Sequence, residues 1–187
     1  SSPHSNISQL VDKHKVNFLL VGSFKHQKGY DIFFDSLDYL DNSLIEKIHF
    51  HICGAGEKFN FFESILSNNL YAEIVTMYGE VDPMNLYKDC NVYILPSRFE
   101  GFSNSLIEAL SFGLPAIAAD CPSANKEVLS ENLNGVFFLN ENSEDLAKKI
   151  KFMAKNHTKF SKQLIKDDVV ERFSISVIAS FYKNLFI

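Results

Sequence analysis

Glu100 and Glu108, with seven residues between them, are the side chains of this sequence best disposed to do chemistry. The first follows an apolar run that Pro96 stops. The second falls inside a helix that Ser103 or Asn104 can cap and Gly113 can close. At a rise of about 1.5 Å per residue, Glu108 stands about 7 Å along the axis from a cap at Ser103. The loop Gly101-Phe102 leads into that helix start, and the amides of Ser103, Asn104 and Ser105 would point out of it, where a phosphate binds well. A carboxylate repels a phosphate, so two of them flanking an anion site make sense only as acceptors for hydroxyls. A diphosphate carrying a sugar ring at both ends meets that condition, with Glu108 on the ribose diol and Glu100 on the group beyond the phosphates. Read alone, the pair also fits a solvated loop acid and an exposed helix acid, because acids near helix starts are favoured by the dipole.

A second loop, Gly22-Ser23-Phe24-Lys25-His26-Gln27-Lys28-Gly29, joins a strand to a helix. Its Lys28 can reach a phosphate as a point charge, and Gly29 frees the backbone behind it. It lacks the Gly-Lys-Ser/Thr of a Walker loop, so that chemistry is not expected. Gly54-Ala55-Gly56 opens like a dinucleotide fingerprint, but Phe59 stands where a third small residue belongs, and a tight turn is the simpler reading. His49 and His51 share one face of a strand by alternation and have no third ligand in view, so packed or surface histidines are expected rather than metal ligands. Glu127 reads as a helix-start acid. Cys53, Cys90 and Cys121 form no CxxC or Cys/His spacing, so no metal site is expected and a reducing, cytoplasmic compartment is.

The elements that must position these residues alternate between two periods. Strands are expected at 16–21, 48–53, 74–78, 92–95, 115–119 and 135–139, each a run rich in β-branched or aromatic residues. Helices are expected at 30–40, 58–67, 83–88, 103–112, 126–130 and 143–154, followed by helix alone after residue 155. That order predicts an α/β fold, a doubly wound parallel sheet of about six strands flanked by helices, with ligands outside the carboxyl ends of the strands. The expected division is a leading linker at 1–15, a Rossmann-like domain at 16–155, and C-terminal helices at 156–187 that pack on it or on a neighbour. In the last of these, Ile175, Ile178, Phe181, Tyr182 and Leu185 make one apolar stripe.

A length of 187 residues suffices for one full core. The formal net charge of −5 argues against a nucleic-acid partner, and no run approaches the roughly 20 apolar residues that span a bilayer.

Together these residues resemble the C-terminal Rossmann-like domain of family four (group 1) of the retaining glycosyltransferases, one half of the GT-B architecture. Glu100 to Glu108 matches that family's Glu-x7-Glu motif. Pro96-Ser97 before it and Glu108-Ala109-Leu110-Ser111-Phe112-Gly113-Leu114-Pro115 after it match too, as do the loop from Gly22 to Gly29, Gly54-Ala55-Gly56, Gly79-Glu80-Val81 and Asn134-Gly135. The likeness covers roughly residues 16 to 155. It implies a nucleotide-sugar donor, UDP- or GDP-linked, and retaining hexosyl transfer with no cofactor and no essential metal, in polysaccharide or glycoconjugate synthesis. It implies Glu100 and Lys28 as the catalytic pair, with Glu100 on the donor sugar and Lys28 on the diphosphate. Gly22, Ser23 and Gly54 would line the donor site, Glu80 and Val81 would meet the base, and Glu108 the ribose. The acceptor would be held by an N-terminal domain, which also carries any peripheral contact with the inner membrane face, and the fragment alone would be inactive. One position departs from the family: Ser23 stands where an Arg is usual, with Lys25 and Arg98 as the candidates to compensate. Two other readings stay open, a nucleotide-sugar epimerase of the same architecture and a non-catalytic binding domain.

Overall fold

The computed structural model describes residues 11–67, 70–122 and 125–173. Six parallel strands, β1 (Val16–Val21), β2 (Ile48–Cys53), β3 (Val75–Met77), β4 (Val92–Leu95), β5 (Ala116–Asp120) and β6 (Gly135–Leu139), form one sheet in the order β3-β2-β1-β4-β5-β6. The chain reverses its winding between β1 and β4, which places a crevice at their carboxyl ends. Register fixes what faces that crevice. Val21 pairs with Cys53, so the glycines that follow each strand start level with one another.

Strand alternation divides the core into two layers. Phe18, Leu20, Phe50, Ile52, Val92, Ile94 and Ile117 face one side, where α1 (Tyr30–Leu37), α3 (Phe59–Ser67) and α7 (Ser143–Asn156) cover them. Many of the eighteen phenylalanines are spent here: Phe18 and Phe33 lie 5.2 and 5.0 Å from Phe50, centroid to centroid. Leu19, Tyr93, Leu95, Ala116 and Ala118 face the other side, under α4 (Met84–Asp89), α5 (Asn104–Ser111), α6 (Asn125–Val128) and α8 (Lys162–Phe173). Both faces of every central strand are therefore dry, which is why these strands read as unbroken apolar runs.

Differences from the sequence reading are local. The first helix ends at Leu37 rather than Leu40, because the chain tightens into turns in which Tyr39 and Leu40 donate to Ser36 and Leu37. Pro83 occupies the N-cap of α4 instead of its first turn. A four-residue helix, α2 (Asn42–Ile45), was not foreseen, being too short for a periodic signal. Val11, expected in a leading linker, is 6% exposed and packs in the second core layer, while Asn17 Nδ2 donates to the carbonyls of Asp12 and Lys15. The apolar stripe from Ile175 to Leu185 lies outside the described residues. Among the described residues no helix is long and apolar enough to cross a membrane.

Candidate functional site

Glu100 is set by two loops pressed against each other. Gly29 sits at φ +65°, and a Cβ there would lie 2.1 Å from the carbonyl oxygen of Pro96, so only glycine permits the approach. The contact brings Lys28 Nζ within 2.6 Å of Glu100 Oε1, and Ser97 donates to the same oxygen at 2.7 Å. The Glu100 side chain is 7% exposed and that of Lys28 22%. Oε2 accepts nothing among the described residues.

Arg98 fastens the same two loops. Its backbone N–H donates to Gln27 at 2.8 Å, and its Nη1 to the His26 carbonyl at 2.8 Å. Its guanidinium forms a forked pair with Asp31 at 2.8 and 2.7 Å, while Gln27 Nε2 returns a bond to the Phe99 carbonyl at 3.0 Å. The hydrogen bonds from Arg98 hold the Asp31 carboxyl below its ordinary range, and those to Asp31 raise Arg98 in turn. Arg98 is thus committed to the scaffold and Lys25 is exposed, and neither is among the residues that line the cleft.

Glu108 is held from the opposite side. Ser103 takes the N-cap of α5 in extended conformation but makes no capping bond; its Oγ lies 3.3 Å from Ser105 Oγ. Tyr93, wholly buried in β4, donates to Ser105 Oγ at 2.8 Å, and Tyr87 of α4 donates to Glu108 Oε2 at 3.1 Å. Burial pushes both phenols above their ordinary range, so they stay protonated donors. Ser103 thus offers no side-chain cap to the first amides of α5, which have no intrahelical acceptor, and Ser103, Asn104 and Ser105 line the cleft. Sequence reasoning missed both tyrosines, although a hydroxyl in an apolar run is itself a signal, since a buried Tyr needs a partner.

These groups line one cavity of about 360 Å³, which collects Val21, Gly22, Ser23, Lys28, Glu100, Phe102, Ser103, Asn104, Ser105 and Glu108. A second, of about 270 Å³, shares Val21, Gly22 and Ser23 with it and adds Cys53, Gly54, Ala55, Glu80 and Val81. Gly54 closes the floor between them: a Cβ there would stand 1.8 Å from the Gly22 carbonyl oxygen. The two cavities form one cleft over the carboxyl ends of β1, β2 and β4, on the scale of known ligand sites. Of the residues expected in the donor site, Gly101 is the one that does not line it, lying exposed in the loop between Glu100 and Phe102. The lining carries one cationic side chain, Lys28, against three carboxylates, those of Glu80, Glu100 and Glu108.

The histidines pack, as expected. His51 is fully buried, with Nδ1 on Tyr78 Oη at 2.7 Å and Nε2 on Asn17 Oδ1 at 3.0 Å, and His49 Nε2 lies 2.8 Å from Thr76 Oγ1. Burial lowers His49 to about 4 and His51 to about 3. Cys53, Cys90 and Cys121 are all buried.

Comparison with known proteins gives the site its context. A family model described as glycosyl transferases group 1 matches residues 4–168. An uncharacterized 41.2 kDa protein in the cps region of Klebsiella pneumoniae is 31% identical over 94% of this chain and 47% of its own length. The GtfA subunit of a UDP-N-acetylglucosamine–peptide N-acetylglucosaminyltransferase from Streptococcus agalactiae is 27% identical over 74% of this chain and 32% of its own. Among solved structures, the lipopolysaccharide outer core galactosyltransferase WaaB superposes with a TM-score of 0.81 at 25% identity, over 92% of this chain and 49% of that one. The chain spans about half the length of such relatives, or less. A family match over most of the sequence, with the two motif glutamates lining one cleft of a Rossmann-like sheet, places this chain among the group 1 glycosyl transferases.

Proposed function

We propose that this chain is the donor-binding half of a retaining hexosyltransferase, taking a UDP- or GDP-linked sugar into the cleft over β1 and β4. The observation that carries the reading is that Glu100, paired with Lys28, and Glu108 line one cavity together with the start of α5. In this reading the amides at the start of α5 and the Lys28 ammonium hold the diphosphate. Glu108 accepts from the ribose and Glu100 from a hydroxyl of the sugar, while Gly54, Glu80 and Val81 leave room for the base. Breaking the glycosidic bond builds negative charge on the leaving diphosphate, and donors already fixed in place stabilise that charge without reorganising. The acceptor would be bound by an N-terminal half, and the product would be a polysaccharide or glycoconjugate. A donor name on the S. agalactiae relative supports UDP as the first nucleotide to try.

The test is thermal stabilisation of this chain by UDP, GDP and ADP and by their sugars, since a ligand that binds only the folded state raises stability by mass action. A rise with one nucleotide and a larger rise with its sugar is expected. No rise with any of them, together with no transfer by the longer protein, would leave a non-catalytic binding domain as the reading. Release of a C2 epimer would identify an epimerase instead.

A further inference from the structure

Helices α1 and α3 leave between them a groove of about 340 Å³ that shares no lining residue with the donor cleft. One wall is apolar. It rests on the stacked rings of Phe34 and Phe62, 4.7 Å apart, and presents Phe61 and Ile65, which are 59% and 38% exposed. Large side chains left in water along one side of a groove mark a contact surface rather than scattered surface residues.

The other wall is acidic. Asp31, Asp35 and Asp38 line it, and among the described residues Asp31 is the one of the three in an ion pair, with Arg98. Asp38 accepts from Tyr71 Oη at 2.9 Å. Asp35 lies four residues after Asp31 and three before Asp38, spacings at which like charges oppose each other on a helix. It also sits in the last turn of α1, at the end of the helix that disfavours anions. Burial and its two neighbouring carboxylates raise its pKa. In the isolated chain this arrangement costs stability, and a cation laid along the rim would return it. A two-fold copy of the same face would set these acids against themselves.

We propose that the α1–α3 groove docks a cationic amphipathic segment of a partner protein, with its apolar side on Phe61 and Ile65 and its lysines or arginines on Asp35 and Asp38. The probe is a fluorescein-labelled 14-residue helix of leucine and lysine, with a leucine–glutamate helix of the same pattern as control, read by anisotropy. The lysine peptide is expected to bind and the glutamate peptide not. Phe61→Ser and Asp35→Asn should each weaken the lysine peptide at least fivefold, and Asp35→Asn should raise Tm by about 1–3 °C, because it removes two like-charge pairs. Equal binding of parent and both variants, or of both peptides, would overturn the proposal. So would a fall in Tm for Asp35→Asn, or sedimentation showing a dimer of this chain that Phe61→Ser dissolves.

Discussion

Replacing Glu100 by Gln should tighten the binding of bare nucleotide, a sign opposite to that expected for deleting a residue from a binding site. The reason is the ion pair. Lys28 Nζ lies 2.6 Å from Glu100 Oε1, and the Glu100 side chain is almost fully buried. A diphosphate entering the cleft must draw Lys28 from that oxygen or share it. A hydrogen bond between charged partners contributes about 1.5–3 kcal/mol net, and sharing forfeits a part of it. Glutamine keeps the shape and can still accept from Ser97, but it holds the ammonium less strongly and no longer repels phosphate. With roughly 1 kcal/mol returned, UDP should bind Glu100→Gln about fivefold more tightly than parent. The donor sugar should tell the reverse story. Its hydroxyl loses a charged acceptor, so the extra affinity of the nucleotide sugar over the bare nucleotide should shrink by about tenfold or more. Calorimetric titration of UDP and UDP-glucose into parent and variant, at one ionic strength, gives all four constants. Weaker or unchanged UDP binding in Glu100→Gln, with measurable binding by parent, would refute the competition for Lys28.

Three further outcomes follow from the same geometry. Glu108→Ala should weaken UDP by about 1.5–3 kcal/mol, tenfold or more, while leaving the ratio of UDP-glucose to UDP near that of parent; calorimetry of both ligands checks it. Gly29→Ala should lower Tm by about 6 °C or more, because a left-handed residue costs 1–3 kcal/mol and the methyl also meets the Pro96 carbonyl; an unchanged Tm in a thermal melt would count against the close approach. The buried histidines set a pH dependence. Their folded pKa values, about 4 and about 3, lie below the ordinary 6.5, so the unfolded chain binds the extra protons and stability falls as pH drops below 6.5 toward those values. Urea unfolding at pH 7 and pH 5 should show a loss on the order of 2 kcal/mol for His51, reduced in His51→Gln; the same loss in both proteins would exclude His51 as its source.

The sequence carried the sheet because each central strand is buried on both faces: Phe18-Leu19-Leu20 and Val92-Tyr93-Ile94-Leu95 leave no polar alternation to mislead, and their ends agree with the structure. Helix ends were less legible. Leu40 remains in the core although α1 stops at Leu37, so the apolar spacing persists past the point where the backbone leaves the helix. In the site, the residues of the Glu100–Glu108 stretch were readable because one short segment supplies them. What could not be read were the partners from elsewhere. Lys28 meets Glu100 across 72 positions, and Arg98 meets Asp31 across 67. Arg98 was a plausible phosphate ligand by type, and only the fold shows that both of its terminal nitrogens are already bonded. Tyr87 and Tyr93 are core residues that the sequence did not single out; their hydroxyls matter because α4 and β4 aim them at α5.

Asp31 belongs to two structures at once. Its carboxylate closes the fork with Arg98 that staples the Lys28 loop to the Glu100 loop, and it also stands on the acidic rim between α1 and α3. One anion cannot serve two cations at full strength. A lysine arriving at the rim would draw on the charge that restrains Arg98, so the two contacts compete for one carboxylate. Thermodynamic reciprocity then requires the converse: whatever tightens the staple makes the rim a poorer host. A single aspartate thereby stands between the outer surface of the helix layer and the two loops that carry Lys28 and Glu100.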